Sequence, residues 1–395
     1  MLGRRPLMVL IILLSIFGPL STDMCLSALP QMAVEFGTSE SVMSMSLYMF
    51  MLVLAFAILV MGPISDKFGR RNTLTVSMAI YVSMSFACCF AHFGNPYLFV
   101  FYRMMQAIGA GGALTIAFAL IKDCFTGDDM RKTLSVTAAI GILGPMLAPV
   151  IGAALIKTID WGATFWFPGI VAAICLFLGL MLPSDLPEMR STSVKNALKG
   201  ILNVGKNRIF MAFCFMMTAF TGAQLAYISV STYIYQNGFG FDETQYSIAL
   251  AGTCVIGLIV SVVIRRIRAI TNRRMIVAIF MLGVAGLLLL LFVAEFHWLL
   301  FFVSMIPIGA IVVTTRSYGY GILMGNHEGD NGAVSAILNF CTFAFAFLGM
   351  MTASSFPSDV YIYGIAAVTA AACVIFFVLW MIVKSKGYPL KGLEE

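Results

Sequence analysis

The feature that most constrains this chain is a series of about twelve apolar segments, each roughly 20 residues long. An α-helix rises about 1.5 Å per residue, so a segment of this length crosses the hydrocarbon core of a bilayer. The chain has 395 residues, of which 61% are hydrophobic and 11% are charged, whereas a soluble protein carries about 25% charged residues. The sequence therefore predicts an all-α polytopic membrane protein with twelve transmembrane helices. The predicted spans are 6–30, 42–62, 73–93, 97–121, 133–156, 164–183, 209–235, 245–264, 275–295, 298–322, 333–355 and 361–383.

The positive charges lie almost entirely on one side of the predicted membrane. Of the 24 Lys and Arg residues, all but Lys157, Arg103 and Arg316 fall at the chain ends and in the loops on one side of the spans. The positive-inside rule then predicts a multi-pass membrane protein with both termini in the cytoplasm. We expect this membrane to be the cell inner (plasma) membrane. One cytoplasmic loop, Gly325–Asp330, has no Lys or Arg. The net charge of +6 does not indicate nucleic acid, because the cations alternate with membrane spans.

A long polar interruption divides the chain into two groups of six spans. We predict an N-terminal six-helix bundle at 1–183, a cytoplasmic linker at 184–208 and a C-terminal six-helix bundle at 209–395, which ends in a short cytoplasmic tail. In each half a basic loop follows the second span, and the two loops end in Arg70-Arg71 and Arg273-Arg274. Parallel repeats of this kind predict a site at the bilayer midplane between the two bundles.

The segment from Gly62 to Arg71, Gly-Pro-Ile-Ser-Asp-Lys-Phe-Gly-Arg-Arg, joins the second and third spans. Its glycines permit sharp turns, and its cations favour the cytoplasmic side. The pattern G-x-x-x-D-[RK]-x-G-R-[RK] resembles the loop between helices two and three of major facilitator superfamily transporters. An ordinary basic loop would explain the three cations but neither the glycines nor Asp66.

That resemblance implies a conformational latch on the cytoplasmic side. In it Arg70 reaches Asp123, and Asp66 faces the start of helix eleven near Gly332. The predicted latch residues are Gly62, Asp66, Gly69, Arg70, Arg71 and Asp123.

Three full charges lie inside the predicted spans: Asp23, Arg103 and Arg316. Each costs several kcal/mol in hydrocarbon unless it faces a cavity or finds a partner. Asp23 and Arg103 each lie about seven residues from an external span end, which places both roughly 10 Å below the outer surface. We predict that they neutralise each other in a central cavity, where a proton or a cationic substrate competes with Arg103 for Asp23. A permanent ion pair that locks two helices is the alternative, and Arg316 can simply reach the cytoplasmic interface.

Three further motifs carry a resemblance to drug/proton antiporters. Arg103 opens an R-x-x-Q-x-x-G-x-G pattern that resembles their fourth helix, where this arginine is implied in proton coupling. Asp23 opens a D-M-x-L-x-A-L-P pattern that is similar to the first helix of Bcr/CflA-type drug/proton antiporters. The fifth span resembles the antiporter motif G-x-x-x-G-P-x-x-G-G, with Ala148 and Ala153 in place of two glycines. The residues assigned to that motif are Gly144, Pro145, Pro149 and Gly152.

Several polar and aromatic side chains within the spans are candidates for lining a substrate cavity. Aromatic residues in membrane helices also serve as packing residues or interface anchors, and that interpretation stays open for each of them. The candidates are Tyr48, Gln106, Gln224, Tyr227, Asn339 and Arg316.

The resemblance implies a proton-coupled exporter of small, often lipophilic compounds, driven by inward proton flow and working by alternating access. A dedicated exporter of one endogenous solute, such as a siderophore, sugar or amino acid, is the closest alternative. An enzyme is disfavoured because His92, His297 and His327 lie at span ends or in loops without ligand spacing, and a receptor would not need the charges of Asp23 and Arg103 inside the membrane. We expect no cofactor and no metal, and a monomer whose partners are the lipid bilayer, protons and a small-molecule substrate.

Overall fold

The computed structural model describes residues 4–91, 95–183, 194–266, 272–325 and 331–385. Some predictions fall outside these ranges. They concern the first part of the linker at 184–193, most of the loop Gly325–Asp330, and the residues His92 and His327.

The described residues form a series of α-helices, most of them of membrane-spanning length. The first part of the chain contains α1 (Arg4–Ser15), α2 (Phe17–Thr22), a 3-10 turn (Leu26–Ala28), α3 (Leu29–Glu35), α4 (Glu40–Phe68), α5 (Arg70–Cys89), α6 (Pro96–Cys124), α7 (Gly127–Thr158) and α8 (Ala163–Leu180). The second part contains α9 (Val194–Gly205), α10 (Arg208–Tyr233) with a π-helical extension (Ile234–Gly238), α11 (Glu243–Arg266), α12 (Asn272–Phe292), α13 (Trp298–Gly325), α14 (Asn331–Ser354), a 3-10 turn (Ser358–Val360) and α15 (Tyr361–Ser385).

Within the described ranges, ten helices are long and apolar enough to cross a membrane, and two bent pairs bring the number of spans to twelve. The first pair joins Arg5–Ser15 to Phe17–Glu35 at 44°, and the second joins Gly127–Gly141 to Leu143–Thr158 at 46°. The prediction of an all-α protein with twelve transmembrane helices is confirmed.

Each bend lies four residues before a proline. A proline ring clashes with the carbonyl of the residue four positions earlier and removes one hydrogen bond from the helix. Pro19 therefore disrupts the helix at Ser15, and Pro145 disrupts it at Gly141. The first span, predicted at 6–30, is broken into α1, α2 and α3 and extends to Glu35.

The chain divides into two compact units, Met1–Leu198 and Lys199–Glu395. The boundary falls within α9, a helix that lies inside the predicted cytoplasmic linker at 184–208. Apolar side chains recur along α9 at a helical spacing, and Ile201 and Val204 are buried. The exact bounds of the linker stay a prediction.

Small residues set the contacts between helices inside each unit. In the first unit α6 packs against α4 and α5. A Cβ on Gly109 of α6 would lie 2.7 Å from Cβ of Tyr81 on α5, and one on Gly111 would lie 2.6 Å from Cβ of Ala57 on α4. Real Cβ atoms do not approach so closely, so these glycines allow α6 to lie between its neighbours, as expected for small residues in membrane helices.

Candidate functional site

Asp23 lies where the first span is broken, between α2 and the 3-10 turn at Leu26–Ala28. Its side chain is only 6% exposed. The Thr22 hydroxyl can donate to Asp23 Oδ1 at 2.8 Å or to the Gly18 carbonyl at 3.0 Å. The carboxyl group is thus buried beside a hydroxyl, in a segment whose backbone has left the regular helix.

Arg103 on α6 is fully buried, at 0% exposure. Its Nη2 donates to the carbonyl oxygen of Ser21 at 2.7 Å, and its Nη1 donates to Gln106 Oε1. The guanidinium also lies over the Phe50 ring at 4.6 Å and the Phe165 ring at 5.5 Å from the centroids. Two hydrogen bonds and two aromatic faces hold this cation inside the first unit.

The prediction that Asp23 and Arg103 form an ion pair is wrong for this structure. Of the ion pairs among the described residues, none joins these two side chains. A common depth does not determine the direction in which each side chain points. Because α2 ends at Thr22, the Ser21 carbonyl lacks a partner within the helix and accepts the arginine instead.

The fifth span packs directly against the broken first span on both sides of Asp23. A Cβ on Gly144 of α7 would lie 2.7 Å from Cγ of Pro19. A Cβ on Gly152 would lie 2.9 Å from the carbonyl carbon of Met24 and closer still to its oxygen. Pro149 is buried and Pro145 is half-buried on the same helix. Gly144 and Gly152 of the predicted antiporter motif thus form the contact between α7 and the first span.

The segment from Gly62 to Arg71 is mostly helical, which corrects its interpretation as a loop. The helix α4 continues through Pro63 to Phe68, α5 begins at Arg70, and Gly69 alone connects them with φ 87°. Pro63 is accommodated inside the helix, and the left-handed backbone at Gly69 makes the turn in one residue.

Arg70 joins three helix ends. Its Nη1 lies 2.5 Å from Asp66 Oδ1 and 2.5 Å from Ser65 Oγ, both at the end of α4. Its Nε donates to Asp123 Oδ2 at the end of α6, at 2.9 Å. The predicted contact between Arg70 and Asp123 is confirmed. Arg71, the next residue of the chain, is half-buried. The expectation that Asp66 faces Gly332 stays a prediction.

The candidate cavity residues divide between the two units. Gln106 is buried in the first unit, where it accepts from Arg103 and donates to Ser85 Oγ at 2.7 Å. Tyr48 is half-buried in the same unit. In the second unit Gln224 and Tyr227 are buried on α10, Asn339 is half-buried on α14, and Arg316 is exposed on α13.

Sequence reasoning missed Tyr81 on α5. Its hydroxyl lies 2.6 Å from Ser21 Oγ, and its ring packs edge-on against Phe17 at 4.8 Å between centroids. Ser21 thus contacts Tyr81 through its side chain and Arg103 through its carbonyl. The only signal in the sequence was the helical spacing of the polar residues Tyr81 and Ser85, which places both on one face of the third span.

The comparisons with known proteins agree with this architecture. The model of the Major Facilitator Superfamily matches residues 11–350. A protein of Bacillus subtilis (strain 168), described as an uncharacterized MFS-type transporter YdgK, is 27% identical over 347 residues, which is 85% of each chain. The multidrug resistance protein MdtL of Klebsiella pneumoniae (strain 342) is 32% identical over 248 residues, and the match spans only 62% of this chain and 62% of MdtL.

The crystal structure of a D-xylose-proton symporter has the same fold, with a TM-score of 0.72 and 16% identity over 98% of each chain. Twelve apolar spans, two compact units and charged side chains buried within the spans define a polytopic membrane transporter. The chain belongs to the Major Facilitator Superfamily, since that family's model matches most of its length.

Proposed function

We propose that this chain is a proton-coupled exporter of small lipophilic compounds. The observation that carries the proposal is Asp23, a carboxyl group buried at the break of the first span without a cationic partner among the described residues. An ionised carboxylate in such a setting is costly, and binding of a proton or of a cationic substrate removes that cost. One group that accepts either a proton or a substrate is sufficient for exchange between them.

The surroundings of Asp23 support a role in conformational change. The first span is irregular at Asp23, and α7 contacts it at Pro19 and Met24 on either side of that residue. Loss or gain of charge at Asp23 changes the free energy of holding the broken segment in its buried position. We propose that this difference biases the alternating-access transition, because a ligand shifts a conformational equilibrium only by its differential affinity for the two states.

In this mechanism Arg103 is a positioning residue. It binds the Ser21 carbonyl, two residues before Asp23, and so fixes the backbone that carries the carboxyl group. Its charge lies close to the same break, which makes it the cation available to a deprotonated Asp23 in another conformation. This replaces the direct pairing of Asp23 with Arg103 that the sequence predicted.

The compound class rests on the resemblance to Bcr/CflA-type antiporters and on the printed description of MdtL as a multidrug resistance protein. The proposed setting is the inner membrane with both termini in the cytoplasm, supported by the one-sided distribution of Lys and Arg. The protein would act as a monomer without a cofactor.

The test uses purified protein in liposomes that contain a pH-sensitive dye, under an imposed proton gradient. Lipophilic cations, neutral antibiotics and anionic metabolites are added one at a time to wild-type protein and to Asp23→Asn. Asp359→Asn is the matched control, because it makes the same change at an exposed carboxylate in the turn before α15.

We expect several unrelated compounds to drive proton movement in wild-type protein and in Asp359→Asn, and none in Asp23→Asn inserted at the same level. A response to one compound alone would instead indicate a dedicated exporter of one solute. Substrate movement without protons in the wild type would exclude proton coupling through Asp23.

A further inference from the structure

The helix α9, which precedes the membrane-spanning helix α10, carries a strongly basic surface. The stretch 194–208 contains four cations and no Asp or Glu, and all four cations are exposed. They are Lys195, Lys199, Lys206 and Arg208. Because α10 begins at Arg208, these charges lie close to one end of a span and near the level of the lipid headgroups.

The three lysines form a single stripe along α9 together with one leucine. The members of this basic stripe are Lys195, Lys199, Leu202 and Lys206. Their spacing of four, three and four residues places them on one face of a helix with about 3.6 residues per turn. The backbone N–H of Lys206 donates to the Leu202 carbonyl at 3.1 Å, so the helical turn continues to the last member. Leu202 is 65% exposed, so an apolar side chain stands in the open among the lysines.

A different face of α9 packs against the protein and fixes the direction of the basic stripe. Ile201 and Val204 lie on that face, and each is 8% exposed. A Cβ on Gly205 would lie 3.9 Å from Cδ1 of Ile337, near the start of α14. Since the spans α11, α12 and α13 separate α10 from α14, both helices begin on the same side of the membrane. The last turn of α9 therefore lies at that side, and the side chains of the basic stripe point away from the packed face.

The basic stripe has no counter-charge in the described part of the chain. None of its lysines forms an ion pair with a described carboxylate, and Lys206 Nζ lies 3.3 Å from the neutral oxygen Oδ1 of Asn203. A cluster of this kind next to a span attracts anionic lipid. Water alone accommodates the lysines but does not favour an exposed leucine beside them. A membrane surface favours both, because a basic amphipathic helix places its apolar side chains below the headgroups and its cations among them.

We propose that the basic stripe of α9 binds anionic phospholipid at the membrane surface on the side where α10 begins. The lysine ammonium groups bind the lipid phosphates, and Leu202 enters between the acyl chains below them. A zwitterionic phospholipid is bound more weakly, because its own cationic group offsets the phosphate charge. This interaction is independent of the exported compound and of proton coupling at Asp23.

The test measures lipid binding without a proton gradient or a transported compound. The full-length protein in a neutral detergent is titrated with short-chain phosphatidylglycerol, with phosphatidylcholine of the same chain length and with glycerol phosphate, and binding is followed by calorimetry. Glycerol phosphate carries the anionic headgroup without acyl chains, so it separates a lipid site from a site for a soluble anion. Hydrogen exchange of the α9 amides is then compared in nanodiscs of phosphatidylcholine with and without phosphatidylglycerol, which locates the binding.

One variant replaces all three lysines of the basic stripe by glutamine, and Lys199→Gln and Leu202→Asn each change one member. The matched control removes the same number of exposed lysines at helix ends on the same side of the membrane. Its substitutions are Lys122→Gln, Lys132→Gln and Lys384→Gln. Both triple variants lower the net charge equally, so a difference between them reports on the position of the charges. Melting temperatures show that each variant is folded.

We expect phosphatidylglycerol to bind wild-type protein and the control more tightly than phosphatidylcholine does, and to slow exchange of the α9 amides. Lys199→Gln should weaken binding about fivefold and the triple variant of the basic stripe about a hundredfold. Leu202→Asn should also weaken it, and added salt should weaken binding to the wild type.

The proposal is overturned if phosphatidylcholine binds as tightly as phosphatidylglycerol, or if glycerol phosphate does, since the site would then recognise a soluble anion. It is equally overturned if the control triple variant loses as much affinity as the variant of the basic stripe, because net charge alone would then explain the attraction. Unchanged exchange of the α9 amides in the presence of phosphatidylglycerol would place any bound lipid elsewhere on the protein.

Discussion

Gly152 on α7 lies against the backbone of Met24, so that a Cβ at this position would overlap the Met24 carbonyl group. Met24 follows Asp23 directly, and the contact therefore joins the fifth span to the segment that carries the buried carboxyl group. Backbone has no rotamer that could relieve such an overlap, so one of the two spans would have to move.

We predict that Gly152→Ala lowers the stability of the folded protein by about 1–3 kcal/mol, the usual effect of overpacking. Gly141→Ala on the same helix is the control, because nothing lies within 4 Å of a Cβ there. Thermal unfolding of both variants in detergent gives the comparison, and equal melting temperatures would contradict the close approach of α7 to Met24.

Alanine substitutions at the two glycines of the Gly62–Arg71 segment should differ in their effect on the stability of the protein. Gly69 has φ 87° and ψ 147°, a conformation that side chains with a Cβ rarely adopt, so Gly69→Ala should cost of order 1–3 kcal/mol. At Gly62 a Cβ would lie 3.8 Å from Cγ2 of Thr115, an ordinary contact, and Gly62→Ala should be tolerated. Melting temperatures of the two variants check this, and a larger loss for Gly62→Ala would refute it.

Arg70 should be far less replaceable than an exposed arginine. Arg70→Lys loses the planar fork that binds Asp66, Ser65 and Asp123 together, and we expect a loss of about 1–3 kcal/mol. Arg131→Lys is the control, since Arg131 and Asp128 form an exposed pair that contributes little. A double-mutant cycle of Arg70→Ala with Asp123→Ala should give a coupling energy above about 0.5 kcal/mol. Strict additivity would mean that the contact does not contribute to stability.

Arg103→Lys tests the packing of the buried arginine. Lysine cannot reach both the Ser21 carbonyl and Gln106 with a planar group, nor cover the Phe50 ring in the same way. We expect transport to be lost and the melting temperature to fall, whereas Arg316→Lys, at an exposed position on α13, should leave the melting temperature unchanged. A fully stable Arg103→Lys protein would show that the described contacts do not hold Arg103.

The sequence predicted a contact correctly where a motif specifies it. It was less informative where the contact depends on the direction in which a side chain points. The contact between Arg70 and Asp123 was predictable because the resemblance of the Gly62–Arg71 segment to the loop of major facilitator transporters implies it. The partner of Arg103 was not, since a shared depth with Asp23 does not specify which way a long side chain turns. The break at Asp23 was also missed, because the predicted span runs through it without a helix-ending signal at that residue.

The bends of the first and fifth spans touch each other, because Gly144 on α7 lies against the ring of Pro19, next to the point where each span changes direction. Neither span can straighten alone without separating this contact, so their curvatures are expected to change together. Substitutions at the two prolines should therefore be interdependent: a change that alters one bend is tolerated best when the other bend changes with it.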